Sequence, residues 1–285
     1  MGYDAINILA SDEGKAKLAV EFRGVLENIQ AKTLAMQLRS TDLSGDPKGG
    51  RIEVKKFKNF ESAEYGTAAS GRGDTALKEK IAYIDIDKDR EIIKDIEEKD
   101  AKLYGVDDLV GKVGTNAEKT MTRELDKAFF TYAESVATAY TPGEGETTIL
   151  DILDGAVTEL NELSNDYIDG VDDEDIVIVL NSANYKKVRR YLDSVANSNV
   201  NSTEGTFRTL HDIQIEKAVR LPDGCGGLIM IKNIIGLPVL VNGVNTEKVQ
   251  KRNAVSAQLF YDYGVGTATP EGILKISDGS SSVTP

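Results

Sequence analysis

TNAEKTMTRELDKAFFTYAESVATAY, residues Thr115 to Tyr140, is the stretch from which the rest of the chain can be read. Met121, Leu125, Ala128, Phe129, Tyr132 and Val136 recur along it at intervals of three and four residues. They therefore line one face of a helix with about 3.6 residues per turn, and charged residues fill the opposite face. Thr115 with Glu118 forms a capping-box pattern at the start, and Pro142-Gly143 provides the stop. The spacing predicts a long helix over residues 116–140.

Upstream, residues 86–104 are densely charged, and Ile92, Ile93 and Ile96 suit a helix or a strand equally well. Before them, Ile52 and Val54 alternate with charges, as Ala82, Ile84 and Ile86 alternate with Tyr83, Asp85 and Asp87, which predicts two strands. The segment between them, 61–77, is rich in Gly, Ala and Ser and cannot build a core, so the pair reads as a long hairpin with a flexible tip. An isolated two-stranded hairpin is marginal in water and needs a partner surface. Further back, Leu18, Phe22, Val25, Leu26, Ile29 and Met36 predict an amphipathic helical arm over 13–39, closed by Asp46-Pro47 and Gly49-Gly50.

Downstream of the Pro142-Gly143 break a second unit is expected. Ile149, Leu153, Ala156, Val157 and Leu160 trace a helix, 166–175 is an acidic turn, and Ile176 to Leu180 is an apolar run suited to a buried strand. Ser182 can cap a helix carrying Tyr185, Val188 and Leu192, followed by a polar loop over 194–206. Short strands follow at 213–219, 227–231, 237–241, 257–263 and 272–276, with a frayed tail after them. The class is α+β.

At 285 residues with 40% hydrophobic content the chain can bury a substantial core. Lys and Arg number 34 against 47 Asp and Glu, and the net charge of −13 argues against a surface built to grip phosphates. The single Cys225 excludes an intrachain disulfide or a multi-Cys metal site, and one His with no Trp is a poor inventory for common catalysis. No secretory signal or membrane span is visible, so the mature chain is expected to begin at Met1. Gly111-Lys112-Val113-Gly114-Thr115 lacks P-loop spacing, and Gly224, Gly226 and Gly227 around Cys225 read as a turn. Asp85, Asp87 and Asp89 lack the Gly and Glu of a calcium loop, and Asp169, Asp172, Asp173 and Asp175 read first as a solvated turn and second as a cation site. His211 beside Asp212 could serve as a base only with a nucleophile such as Ser202 or Cys225, and adjacent strand residues point to opposite faces. Arg72-Gly73-Asp74 falls in the Gly-rich tip and is read as a chance tripeptide.

The order of parts is helical arm, long charged hairpin, long helix, helix-strand-helix unit, then returning strands. Two strings add to it: Phe207-Arg208-Thr209-Leu210 leading through Ile213-Gln214-Ile215 to Leu221-Pro222, and Phe260-Tyr261-Asp262-Tyr263-Gly264 with Thr269-Pro270-Glu271-Gly272-Ile273. Together they resemble the major capsid proteins of tailed bacteriophages, the family that shares the HK97 fold. The resemblance implies an N-terminal arm at 1–43, an extended E-loop hairpin at 44–83, a P-domain at 84–144 and 242–285 carrying the long spine helix, and an A-domain at 145–241. It further implies a non-enzymatic structural subunit without cofactor or bound metal. Copies of it would form pentamers and hexamers of an icosahedral shell in the virion, assembled in the bacterial cytoplasm around double-stranded DNA. A portal protein is an implied partner. Because the chain reaches its arm almost at once, a separate scaffolding protein, or none, is expected.

A shell protein must make repeated heterologous contacts, and segments without a core role supply them. Arg51, Lys55, Lys56, Phe57, Lys58, Phe60 and Tyr65 in the hairpin and Phe22 in the arm are the expected contact residues, with the basic ones facing acidic segments such as 91–100. Two other classes compete: an encapsulin-like compartment of similar fold, and an enzyme using a metal held by Asp169, Asp172, Asp173 and Asp175.

Overall fold

The computed structural model describes residues 11, 16–17, 20, 28–29, 33–44, 50–57, 79–100, 106–194, 209–210 and 213–278. In chain order its elements are helix α1 (Leu34–Leu38), strands β1 (Arg51–Phe57), β2 (Glu79–Asp85) and β3 (Lys88–Glu97), the long helix α2 (Val106–Val136) and strand β4 (Thr138–Ala139). Helix α3 (Ile149–Asn161), strands β5 (Ser164–Asn165), β6 (Ile168–Asp169) and β7 (Ile176–Leu180), and helix α4 (Ser182–Ser194) follow. The remaining strands are β8 (Thr209–Leu210), β9 (Ile213–Lys217), β10 (Cys225–Ile231), β11 (Ile235–Gly236), β12 (Val239–Lys248), β13 (Ala254–Tyr263), β14 (Gly266–Thr267) and β15 (Ile273–Ser277). They fall into two compact units: Met1–Ile52 with Asp85–Phe129 and Leu237–Val265, and Glu53–Ile84 with Phe130–Gly236 and Gly266–Pro285.

The first unit is built on an antiparallel sheet in the order β12-β13-β3. One face of β13 carries Val255, Ala257, Leu259, Tyr261 and Tyr263, all buried, and α2 contributes Val110, Ala117, Met121, Leu125 and Phe129 to the core of the same unit. Helix α1 is held to α2 because the Ala35 amide donates to the buried Asp126 carboxylate at 3.0 Å. Arg39 donates to the Leu237 carbonyl at 2.9 Å, so this piece of the expected arm is docked.

The second unit has a six-stranded sheet in the order β4-β15-β10-β7-β9-β8. All five residues of β7 are buried, as its apolar run predicts for the middle of a sheet covered on both faces. Strand β7 is antiparallel to β10 and parallel to β9, with α4 as the crossover, while Leu153, Ala156 and Leu160 of α3 complete the core beside Ile176, Ile178 and Val188.

Several expectations are corrected. Helix α2 begins at Val106, so Thr115 lies inside it and its hydroxyl donates to the Gly111 carbonyl at 2.9 Å instead of capping. Gly111 and Gly114 weaken helix propensity by about 1 kcal/mol each, which makes a later start look right locally, but the buried Val110 and Ala117 override it. The helix stops at Val136, before Pro142, because Thr138 and Ala139 pair with β15 and the Tyr140 amide donates to the Lys275 carbonyl. Helix α4 is capped by Asn181, not Ser182: the Asn184 amide donates to the Asn181 side-chain oxygen at 2.8 Å. Strand β12 runs on to Lys248, past the expected end at 241, because its backbone pairs with β13 residue by residue as far as Lys248 opposite Val255, which side-chain polarity does not prevent. Of the predicted helix over 13–39, only 16–17, 20, 28–29 and 33–39 lie among the described residues.

Candidate interaction surfaces

Strand β1 alternates as its sequence requires: Ile52 and Val54 are buried, while Arg51, Glu53 and Lys55 are exposed. On β2, Ile84 is buried and Ile81 and Tyr83 are 41% and 52% exposed. Arg51 and Asp85 form a 2.5 Å ion pair at the base of the hairpin, and Lys55 lies 3.6 Å from Glu53 on the outward face of β1. Lys56 points the other way, 3.6 Å from Glu271 and with its ammonium 4.9 Å from the centre of the Tyr167 ring. It anchors the hairpin within its own unit, whereas Arg51 and Lys55 stay on the outward side. Phe57 ends β1, and Lys58, Phe60, Tyr65 and Phe22 lie outside the described residues. Reading the sequence missed Ile81 and Tyr83; the signal was there, because Tyr83 interrupts the polar phase of the alternation that hides Ala82 and Ile84.

The ambiguous 86–104 segment resolves largely as β3, an edge strand whose two faces differ in charge. Ile92 and Ile96 share the face of Lys88, Arg90 and Lys94, and Ile96 is buried. On that inner face the hydroxyl of the fully buried Tyr261 donates to Glu124 at 2.5 Å, Tyr263 donates to it at 3.3 Å, and Arg90 pairs with it. Burial first, then the hydrogen bond to Glu124 and the charge of Glu124, push the Tyr261 phenol well above its ordinary range, so it stays protonated as a donor.

The outer face of β3 carries Asp89, Glu91, Asp95 and Glu97 around Ile93, which is 49% exposed. Two copies of this edge pairing antiparallel about a two-fold axis must centre on one residue, since opposed side chains share a face. Centred on Ile92, Asp89 meets Asp95 and Arg90 meets Lys94; centred on Ile93, Glu91 meets Asp95 and Asp89 meets Glu97. Like charges directly opposite are destabilising, so the strip guards the edge against self-pairing while leaving its face open to a basic partner.

Among the described residues no three His, Cys, Asp or Glu side chains converge on a point where a metal ion could sit. Asp173 accepts from Asn161 at 2.8 Å and Asp169 is 3.5 Å from the Ser164 hydroxyl. Cys225 is buried, its thiol 3.5 Å from the Gly227 carbonyl, and burial pushes it up to about 11, so it is not a thiolate at neutral pH. Gly111 to Thr115 lie in the second and third turns of α2, which excludes a phosphate-wrapping loop there. His211, Asp212 and Ser202 lie outside the described residues, as does Arg72-Gly73-Asp74. No described helix is long and apolar enough to cross a membrane.

No protein-family model matches the chain, and no curated protein sequence matches it. Solved structures do match. A protein of Mycobacterium phage Che8 is 17% identical, with 86% of this chain and 91% of that one covered at a TM-score of 0.61. The mature capsid of bacteriophage PhiM1 matches at 12% identity, 86% and 87% coverage and a TM-score of 0.60. A virus-like particle from Pyrococcus furiosus matches at 14% identity, 93% and 99% coverage and a TM-score of 0.59. Likeness over this much of both chains at so little identity is a likeness of fold. The mixed helix-and-sheet architecture is that of HK97-type capsid proteins.

Proposed function

We propose that this chain, having the HK97-type capsid fold, is a structural subunit that self-assembles into the icosahedral shell of a tailed bacteriophage and has no catalytic role. The observation that carries it is the near full-length match of fold to the PhiM1 mature capsid, the very type of particle a shell subunit would build. The two surfaces with no role in either core support the same reading. The outward hairpin side offers Lys55, Ile81 and Tyr83, and the outer side of β3 offers Asp89, Glu91, Ile93 and Asp95. Each presents an apolar centre with charge beside it, of opposite sign where the surfaces meet between copies. In that division of labour 1–43 is the arm, 44–83 the E-loop, 84–144 with 242–285 the P-domain and 145–241 the A-domain, and the shell encloses DNA with portal and scaffolding proteins as partners.

Negative-stain microscopy of the expressed protein, with and without a scaffolding partner, is expected to show closed shells or five- and six-fold rings. Strictly monomeric protein under all assembly conditions would overturn the shell role. The double variant Ile81→Ser with Tyr83→Ser is expected to unfold like the parent subunit yet assemble poorly; an unchanged shell yield refutes the role given to the hairpin.

A second reading, the shell of a protein-filled compartment, is favoured by one observation, the 93% and 99% coverage against the virus-like particle from Pyrococcus furiosus. The contents of purified shells separate the two: nucleic acid for a virion, packaged protein for a compartment.

A further inference from the structure

Helix α4 carries a cluster of basic residues, of which Lys187 donates to the side-chain oxygen of the buried Asn184 at 3.0 Å. Lys186, Lys187, Arg189 and Arg190 fall within five consecutive residues of a chain whose net charge is −13. Asn184 and Val188 are buried on the side of α4 that meets the sheet, and at about 100° per residue Lys186 points directly away from it, Arg189 and Arg190 lie obliquely to either side of Lys186, and Lys187 projects laterally. All four are exposed, and Tyr191 beside them is 48% exposed.

The same unit holds a matching surface of opposite sign. Between residues 166 and 175 there are six carboxylates, and every one is exposed. The backbone beneath them is fixed: the amides of Tyr167 and Ile168 donate to Asn165, Asn161 donates to Asp173, and Lys232 donates to the carbonyls of Glu174 and Asp175. Among the described residues no ion pair joins Lys186, Lys187 or Arg190 to this turn. The turn enters β7 at its first residue, while α4 follows β7 after Asn181, so the two patches come from separate segments of one compact unit. Different surfaces that complement each other make a heterologous contact, which generates a ring when the rotation closes.

Resting on the shell role above, we propose that the basic face of α4 on one copy docks on the acidic 166–175 turn of the next copy around a ring. A nucleic acid is the less fitting occupant, because a phosphate polymer would meet the net negative field of the rest of the chain, whereas the acidic turn loses its own repulsion on docking.

The test reverses charge on each side and then on both. Lys186→Glu with Arg190→Glu, and separately Asp172→Lys with Glu174→Lys, are each expected to cut the assembled fraction about tenfold at moderate salt. The four changes combined in one chain are expected to restore assembly, because the contact reforms with its polarity exchanged. Sedimentation velocity reads the assembled fraction, and circular dichroism melts show that each variant is folded. Either reversal assembling like the parent, or the combined chain failing to recover, overturns the inference while leaving the shell role intact. So does an α4 reversal that assembles normally but encloses less DNA, since the face then serves the nucleic acid. A parent chain that never assembles overturns the shell role and this contact together.

Discussion

Replacing Tyr261 with Phe removes one hydroxyl and keeps the ring, which makes it a clean probe of how α2 is held to its sheet. Tyr261 is 0% exposed and its hydroxyl lies 2.5 Å from a Glu124 oxygen, while Tyr263 reaches the other oxygen at 3.3 Å and stacks on Tyr261 with ring centres 6.3 Å apart. A hydrogen bond to a charged acceptor contributes about 1.5–3 kcal/mol, so Tyr261→Phe should cost about that much; Glu124 keeps Tyr263 and Arg90 as partners. Glu124→Ala should cost more, because it also leaves the buried Tyr261 hydroxyl without its acceptor, a penalty of about 1–3 kcal/mol. In the double variant the shared bond is lost only once and that penalty vanishes with the hydroxyl, so its loss should fall short of the sum of the two single losses by at least about 1.5–3 kcal/mol. Urea unfolding of the unassembled subunit measures this, followed by far-ultraviolet circular dichroism and by the fluorescence of its 11 Tyr, which no Trp obscures. If Tyr261→Phe stays within about 0.5 kcal/mol of the parent, or the two changes add, the network is not what fastens the helix.

Two further outcomes are expected. Burial raises the Cys225 thiol from its ordinary 9.0 to about 11, so the stability it contributes is fully present below pH 9 and is lost as the pH climbs toward 11, because only the unfolded chain ionises over that window. The loss amounts to about 2–3 kcal/mol, and alkaline melts of Cys225→Ala should fall less steeply than those of the parent; parallel curves would show that the thiol does not ionise on unfolding. Between β13 and β14, Gly264→Ala would drive a methyl group into the Asp85 carbonyl, which as backbone cannot swing aside as a side-chain end can. The crowding should cost about 1–3 kcal/mol, so a thermal melt at or above the parent's would show that the backbone at Asp85 yields freely.

Where a short-range pattern decides an element, the sequence could be read directly. The spacing of Met121, Leu125 and Phe129 needs only the helix repeat, and the unbroken run Ile176 to Leu180 needs only burial on both faces. The expected contact residues were legible to a smaller degree. Arg51 and Lys55 lie outward as their alternation demands, but Lys56 turns inward to Glu271 and Tyr167, partners more than a hundred residues away in sequence. Tyr83 stands out in the sequence as an aromatic residue in the polar phase of its strand, but that it and Ile81 stay exposed depends on what covers one face of β2 and not the other.

The sequence by itself determined the order of elements, the α+β class, the long helix and its apolar face, and the two places where charge gathers without a core to serve, since these follow from repeats of two and about 3.6 residues and from composition. Only the tertiary structure decided that 88–97 is a strand, that α2 starts at Val106, and that the faces of β3 part into a basic inner side and an acidic outer one. Those outcomes depend on backbone pairing with β13 and on side chains such as Glu124 meeting Arg90 and Tyr261, contacts between residues far apart along the chain. Local propensity is worth tenths of a kcal/mol per residue, and one buried side chain or paired strand outweighs it.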